Sequence, residues 1–92
     1  MIDKEQLDEF RRLLEEMLPD LRKMAAILRE FKRRGQDVAV QSLTAEQQYR
    51  EAVGLTRVLE RHGEDASRFT SALEQVREVA GFRPADQEPT AN

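Results

Sequence analysis

A chain of 92 residues with 39% apolar and 36% charged side chains has room for one small domain and a narrow core. Its formal net charge of −3 speaks mildly against non-specific nucleic-acid binding, and no apolar run approaches the roughly 18 residues that a bilayer span requires. The lack of cysteine excludes disulfides and thiolate-bound metals.

The chain opens Met-Ile-Asp-Lys-Glu and becomes amphipathic and acidic at once, unlike a signal peptide. A soluble, cytoplasmic protein is therefore expected, with signal-independent secretion left open. Asp3 lies just ahead of the first periodic stretch, with Glu5 and Gln6 in the opening turn, and is read as an N-cap. From there Leu7, Phe10, Leu14, Met17, Leu21, Met24, Leu28 and Phe31 recur at spacings of three and four, the seam of a helix that faces another helix. The helix is expected over about 4–34. Gly35, after Lys32, Arg33 and Arg34, is a good left-handed stop. Pro19 falls inside it, on the side away from the seam, and the seam keeps phase across it. One kinked helix is expected rather than two.

Val38, Val40 and Leu43 are expected to cap the end of a loop running from Gln36 to Leu43. Thr44-Ala45-Glu46-Gln47 reads as a capping box that starts a second helix. In that helix Ala52, Leu55, Leu59, His62, Ala66, Phe69, Leu73, Val76 and Ala80 form a second seam, so the helix is expected over about 45–80 and ends at Gly81. Gly63 interrupts it at a cost of about 1 kcal/mol relative to alanine. His62-Gly63-Glu64-Asp65 also fits a helix end followed by a new acidic start. With the seam in phase on both sides, Gly63 is read as a bend shared with Pro19, which would lie near Glu60. The alternative is a hinge that folds the rod into a compact bundle of four short helices. The expected fold is all-α: a long antiparallel helical hairpin over 1–81, followed by a disordered tail at 82–92 with Pro84 and Pro89 and no apolar period.

The chemistry available is limited. His62 is the only histidine, and Leu59 stands three residues before it, so the Glu-x-x-His pairs of carboxylate-bridged metal sites are absent. As a seam residue, His62 reads as a register-setting polar group. Arg61-His62-Gly63-Glu64 lacks the lysine that follows the histidine of phosphotransfer domains. The four glycines are isolated, so there is no phosphate-cradling loop. No metal, cofactor or catalytic residue is expected, and the chain is read as a non-enzyme.

Two surfaces remain as functional candidates. The first is the apolar heptad face: Leu7, Phe10, Leu14, Met17, Leu21, Met24, Leu28 and Phe31, with Leu55, Leu59, Phe69, Leu73 and Val76. Leu13, Leu18, Ile27, Tyr49, Val53 and Val58 widen it beyond what one partner helix needs. That width points to a protein–protein interaction module: a small scaffold, adaptor, chaperone or regulatory subunit. Its partner would be a second copy, pairing two hairpins into a four-helix bundle as a homodimer or higher oligomer, or another helical protein. The second candidate is a basic tip at the loop end, Arg29, Lys32, Arg33, Arg34 and Arg50, which would suit a nucleic-acid-binding regulator. The charge is graded along the first helix. Residues 1–19 carry three basic and six acidic side chains, whereas residues 20–34 carry six basic and two acidic.

Overall fold

A computed structural model describes residues 1–83, which form three helices: α1 (Lys4–Arg33), α2 (Ala39–Arg61) and α3 (Ser67–Ala80). The tail expected to be disordered lies outside the described residues from position 84 onward. None of the three helices is long and apolar enough to cross a membrane.

α1 begins where the sequence places it. The Asp3 carboxylate accepts the Gln6 backbone N–H at 2.9 Å, and the Gln6 side chain accepts the Asp3 N–H at 3.1 Å. Together these bonds satisfy two of the donors that a helix start leaves open. Leu7, Leu14, Leu18, Leu21, Ala25 and Leu28 are buried along one side. Pro19 sits within the helix and is exposed. An interior proline costs about 3 kcal/mol, because it removes one backbone bond and crowds the preceding turn. Burying Leu14, Leu18 and Leu21 on either side of it gains about 1.5–3 kcal/mol each, so the helix runs through. Its 30 residues, at about 1.5 Å each, account for the 46 Å long axis of the molecule.

At Gly35 (φ +78°) the chain leaves α1. The Gly35 N–H reaches the Lys32 carbonyl and the Gln36 N–H reaches the Phe31 carbonyl, the paired bonds of a Schellman turn. The second helix then starts six residues earlier than the Thr44 capping box suggests. Asp37 accepts the Ala39 N–H at 3.1 Å, and buried Val38 pins the turn. Thr44 lies inside α2, where its hydroxyl donates to the Val40 carbonyl at 3.2 Å. An Asp two residues ahead of Ala39 opens the helix first, so the later cap pattern has no free N–H to serve.

The expected helix over 45–80 is two helices, and this is the main departure from a two-helix hairpin. Gly63 does not bend α2; it ends it. With φ at +77°, it repeats the turn seen at Gly35: the Gly63 N–H bonds to the Glu60 carbonyl and the Glu64 N–H to the Leu59 carbonyl. Asp65 opens α3 by accepting the Ser67 backbone N–H at 3.0 Å and the Ser67 hydroxyl at 2.8 Å. α3 then packs on α1. Pro19 consequently lies in a groove with Arg68 and Phe69 rather than opposite Glu60. His62 is not in a seam but exposed at the end of α2, where its ring Nδ1 is 2.9 Å from the Val58 carbonyl.

The three helices enclose one core, in which Phe69, Leu14, Leu21, Leu59 and Val76 are the largest fully buried side chains. Ala25, Ala45, Ala52, Ala66, Ala72 and Ala80 fill much of the rest. Phe82, just past α3, is buried against Tyr49 with ring centroids 5.5 Å apart. Polar links also tie α3 to α1. Arg11 pairs with Glu64 at 3.2 Å, Arg68 pairs with Glu15, and the Lys32 amine donates to the Ala80 carbonyl at 2.8 Å. That last contact places a cation on the negative end of the α3 dipole.

The two interior glycines of the expected second helix should respond in opposite directions to alanine. At Gly63, the left-handed backbone makes Gly63→Ala destabilising by about 1 kcal/mol. Gly54 has ordinary helical geometry and open space around its Cα, so Gly54→Ala should stabilise by about 0.5–1 kcal/mol. Urea unfolding of the two variants measures both, and stabilisation by Gly63→Ala would contradict the turn. The α3 start carries its own pH signature. The Ser67 backbone N–H, and then its hydroxyl, hold the Asp65 carboxyl below its usual value. That stabilisation is fully present above the ordinary aspartate value of about 3.9 and is lost as pH falls through the lowered folded value. Asp65→Ala should therefore lower the melting temperature at neutral pH. The gap from the wild-type protein should close in acid, as read by circular dichroism melts.

Candidate interaction face

Most of the heptad face is used within the chain. Leu7, Leu14, Leu21, Leu28, Leu59, Phe69, Leu73 and Val76 are buried in the three-helix core, and Phe10, Met17, Met24 and Leu55 are half-buried at its edge. Phe31 stands apart, exposed at the end of α1. The reason is the turn at Gly63. Once α3 doubles back, it covers the seam that a two-helix hairpin would leave for a partner. Of the positions that widen the stripe, Leu18 and Tyr49 are buried and Val53 and Val58 are half-buried, whereas Leu13 and Ile27 face outward.

What stays uncovered is a different surface. Leu13 (40% exposed) and Ile27 (45%) lie on the outer side of α1 with Phe31, and Val40 (74%) and Leu43 (61%) project from the first turns of α2. Between the helices, Met24, Ile27, Leu28, Val40, Gln41, Thr44 and Ala45 line a groove of 390 Å³. Apart from Met1, every exposed large apolar side chain among the described residues belongs to this α1–α2 surface, and none belongs to α3. Val40 and Leu43 are the residues that the sequence reading missed, because it placed them in a loop. The Asp37-Val38-Ala39 start was the signal that would have put them on a helix.

The basic tip is less open than its sequence suggests. Arg29 is exposed, but the Lys32 amine is held by the Ala80 carbonyl. Arg33 and Arg34 both pair with Glu30, whose carboxyl is held below its usual value by the Arg33 guanidinium first and by Arg34 as well. Arg50 is half-buried on α2, with its guanidinium 3.7 Å from the carboxylate of buried Glu46. The five cations do not form one cluster aimed at a ligand.

Elsewhere the titratable groups serve the fold. Burial pushes the Tyr49 hydroxyl up, with the Glu74 carboxylate adding to the effect. Glu74 is itself lowered by its hydrogen bond from Arg77. Among the described residues, no three His, Cys, Asp or Glu side chains converge as metal ligands.

Compared with protein-family models, with curated proteins and with solved structures, the chain has no significant match in any of the three.

If the α1–α2 surface is external, polar substitution there should leave the fold intact. Val40→Ser and Leu43→Ser should each change stability by no more than about 0.5 kcal/mol. Leu21→Ala, in the core, should cost about 3 kcal/mol. Thermal or urea unfolding at a protein concentration held constant separates the two classes.

Proposed function

We propose that this chain is a non-enzymatic protein–protein interaction module, of the kind that serves as a scaffold, adaptor, chaperone or regulatory subunit. It works through the apolar surface formed by the outer side of α1 and the start of α2. The observation that carries this reading is the segregation of exposed apolar side chains. Leu13, Ile27, Phe31, Val40 and Leu43 all lie on two neighbouring elements, with an apolar groove between the helices. Exposed apolar residues scattered singly need no explanation, whereas their concentration beside a groove favours a protein partner.

The nucleic-acid reading has less behind it. Neutralising phosphates takes several free cations, and Lys32, Arg33, Arg34 and Arg50 are each engaged within the chain.

The test is site-specific photocrosslinking in cells. A photoreactive phenylalanine analogue at Ile27 or Leu43 should give defined adducts with a protein. The same group at Arg57 or Ser71, both exposed and outside the surface, should give none. Equal labelling at all four sites, or none at Ile27 and Leu43, would overturn the proposal.

A further inference from the structure

Building on the interaction face proposed above, we infer that its partner is a second copy of the same chain, lying antiparallel along the outer side of α1. The argument begins with charge. Acid near a helix start and base near its end complement the helix dipole, but that effect fades within the first and last turns. In α1 the acidic residues outnumber Lys4, Arg11 and Arg12 as far as Glu15 and Glu16, at the middle of the helix, and from Arg22 and Lys23 onward the basic residues outnumber the acidic. The dipole does not account for charge that deep. Two copies of such a helix repel when parallel and attract when reversed.

The apolar positions agree with the reversed register. Leu13, Met17, Met24, Ile27 and Phe31 step by three, four and seven along one side of α1, and Asp20 completes the stripe between Met17 and Met24. About a two-fold axis near residue 22, Leu13 meets Phe31 of the second copy, and Met17 meets Ile27 of the second copy. In the same register Asp20 lies opposite Met24 of the second copy and one residue from its Lys23, a juxtaposition made twice per dimer because the contact is isologous. Neither Asp20 nor Lys23 has a salt-bridge or side-chain hydrogen-bond partner within the described residues. Glu9 lies one residue from Arg34 of the second copy at each end, where their local partners Arg12 and Glu30 complete a charged rim. From Leu13 to Phe31 the contact is about 27 Å long. It also brings Leu13 and Met17 of one copy over the groove between Met24 and Val40 of the other. The occupant, the register and the charge pairs therefore come from one helix read in two directions.

The experiment is sedimentation equilibrium or light scattering of the full chain across a concentration range. It compares the wild-type protein with Ile27→Glu, Asp20→Lys, Lys23→Glu and the double variant Asp20→Lys with Lys23→Glu. Circular dichroism shows that each is folded, as expected for exposed sites. Wild-type protein should approach twice the 10.7 kDa chain mass. Ile27→Glu, which buries two carboxylates per dimer, should raise the dissociation constant by roughly 100-fold. Each single charge reversal should weaken pairing by about fivefold, and the double variant should return to within about twofold of wild type. A dimer indifferent to Ile27→Glu, or a double variant as weak as the singles, would overturn this arrangement. A monomeric wild type would do the same. A monomer that still gives Ile27 photoadducts with a different protein would overturn self-pairing and leave the interaction face standing.

Discussion

The left-handed turn at Gly63 is the constraint on which the rest of the structure depends. A residue with a Cβ resists φ near +77°, and glycine accepts it freely. By reversing there, the chain converts a long two-helix seam into a closed three-helix core. α3 lies on α1, and Phe69, Leu73 and Val76 are removed from water within the chain itself. The apolar seam that would have demanded a partner is satisfied from inside. What α3 does not reach, the outer side of α1 and the first turns of α2, is left as the only substantial apolar surface among the described residues.

That division gives α1 two roles. One side, from Leu7 through Leu28, is the spine of the core and receives both other helices. Its polar flank ties α3 down at three levels, through Glu64, Arg68 and the Ala80 carbonyl. The flanking side carries Leu13, Ile27 and Phe31 between charged neighbours. The three tethers sit at or near the surface, where a single ion pair contributes about 0–1 kcal/mol. Burial of the leucines and phenylalanines therefore dominates the docking of α3, and the ionic contacts serve mainly to set its position.

Much of the fold was legible in the residues, and the failures have specific causes. The all-helical class, the Asp3 start, the stops at Gly35 and Gly81 and the continuity of α1 through Pro19 all followed from periodicity and capping chemistry. Gly63 departs from the expected bend because a seam can keep its phase without a continuous backbone. The five-residue gap between α2 and α3 happens to restore the three-and-four pattern, so Leu59, Ala66 and Phe69 stay in step while the backbone turns. The sequence did contain the signal: a glycine followed by Glu64 and Asp65 ahead of Ser67 is a stop followed by a start. Thr44 misled in the opposite direction, since a cap pattern has no effect once an upstream Asp has already opened the helix. The buried half of the heptad face was identified as apolar but assigned to a partner. Periodicity says that a side is covered, not by what. The exposed half was visible only as extra apolar positions beyond the seam, and choosing Leu13 and Ile27 over Leu18 and Tyr49 required knowing where α3 lies.

The core is unusual in how much of it is alanine: Ala25, Ala45, Ala52, Ala66, Ala72 and Ala80 are all buried. Small side chains at helix contacts let the axes approach more closely than leucine or phenylalanine would. Ala45 belongs to the inside and the outside alike: buried in the core, it also lines the groove between α1 and α2, so a larger residue there would alter both together.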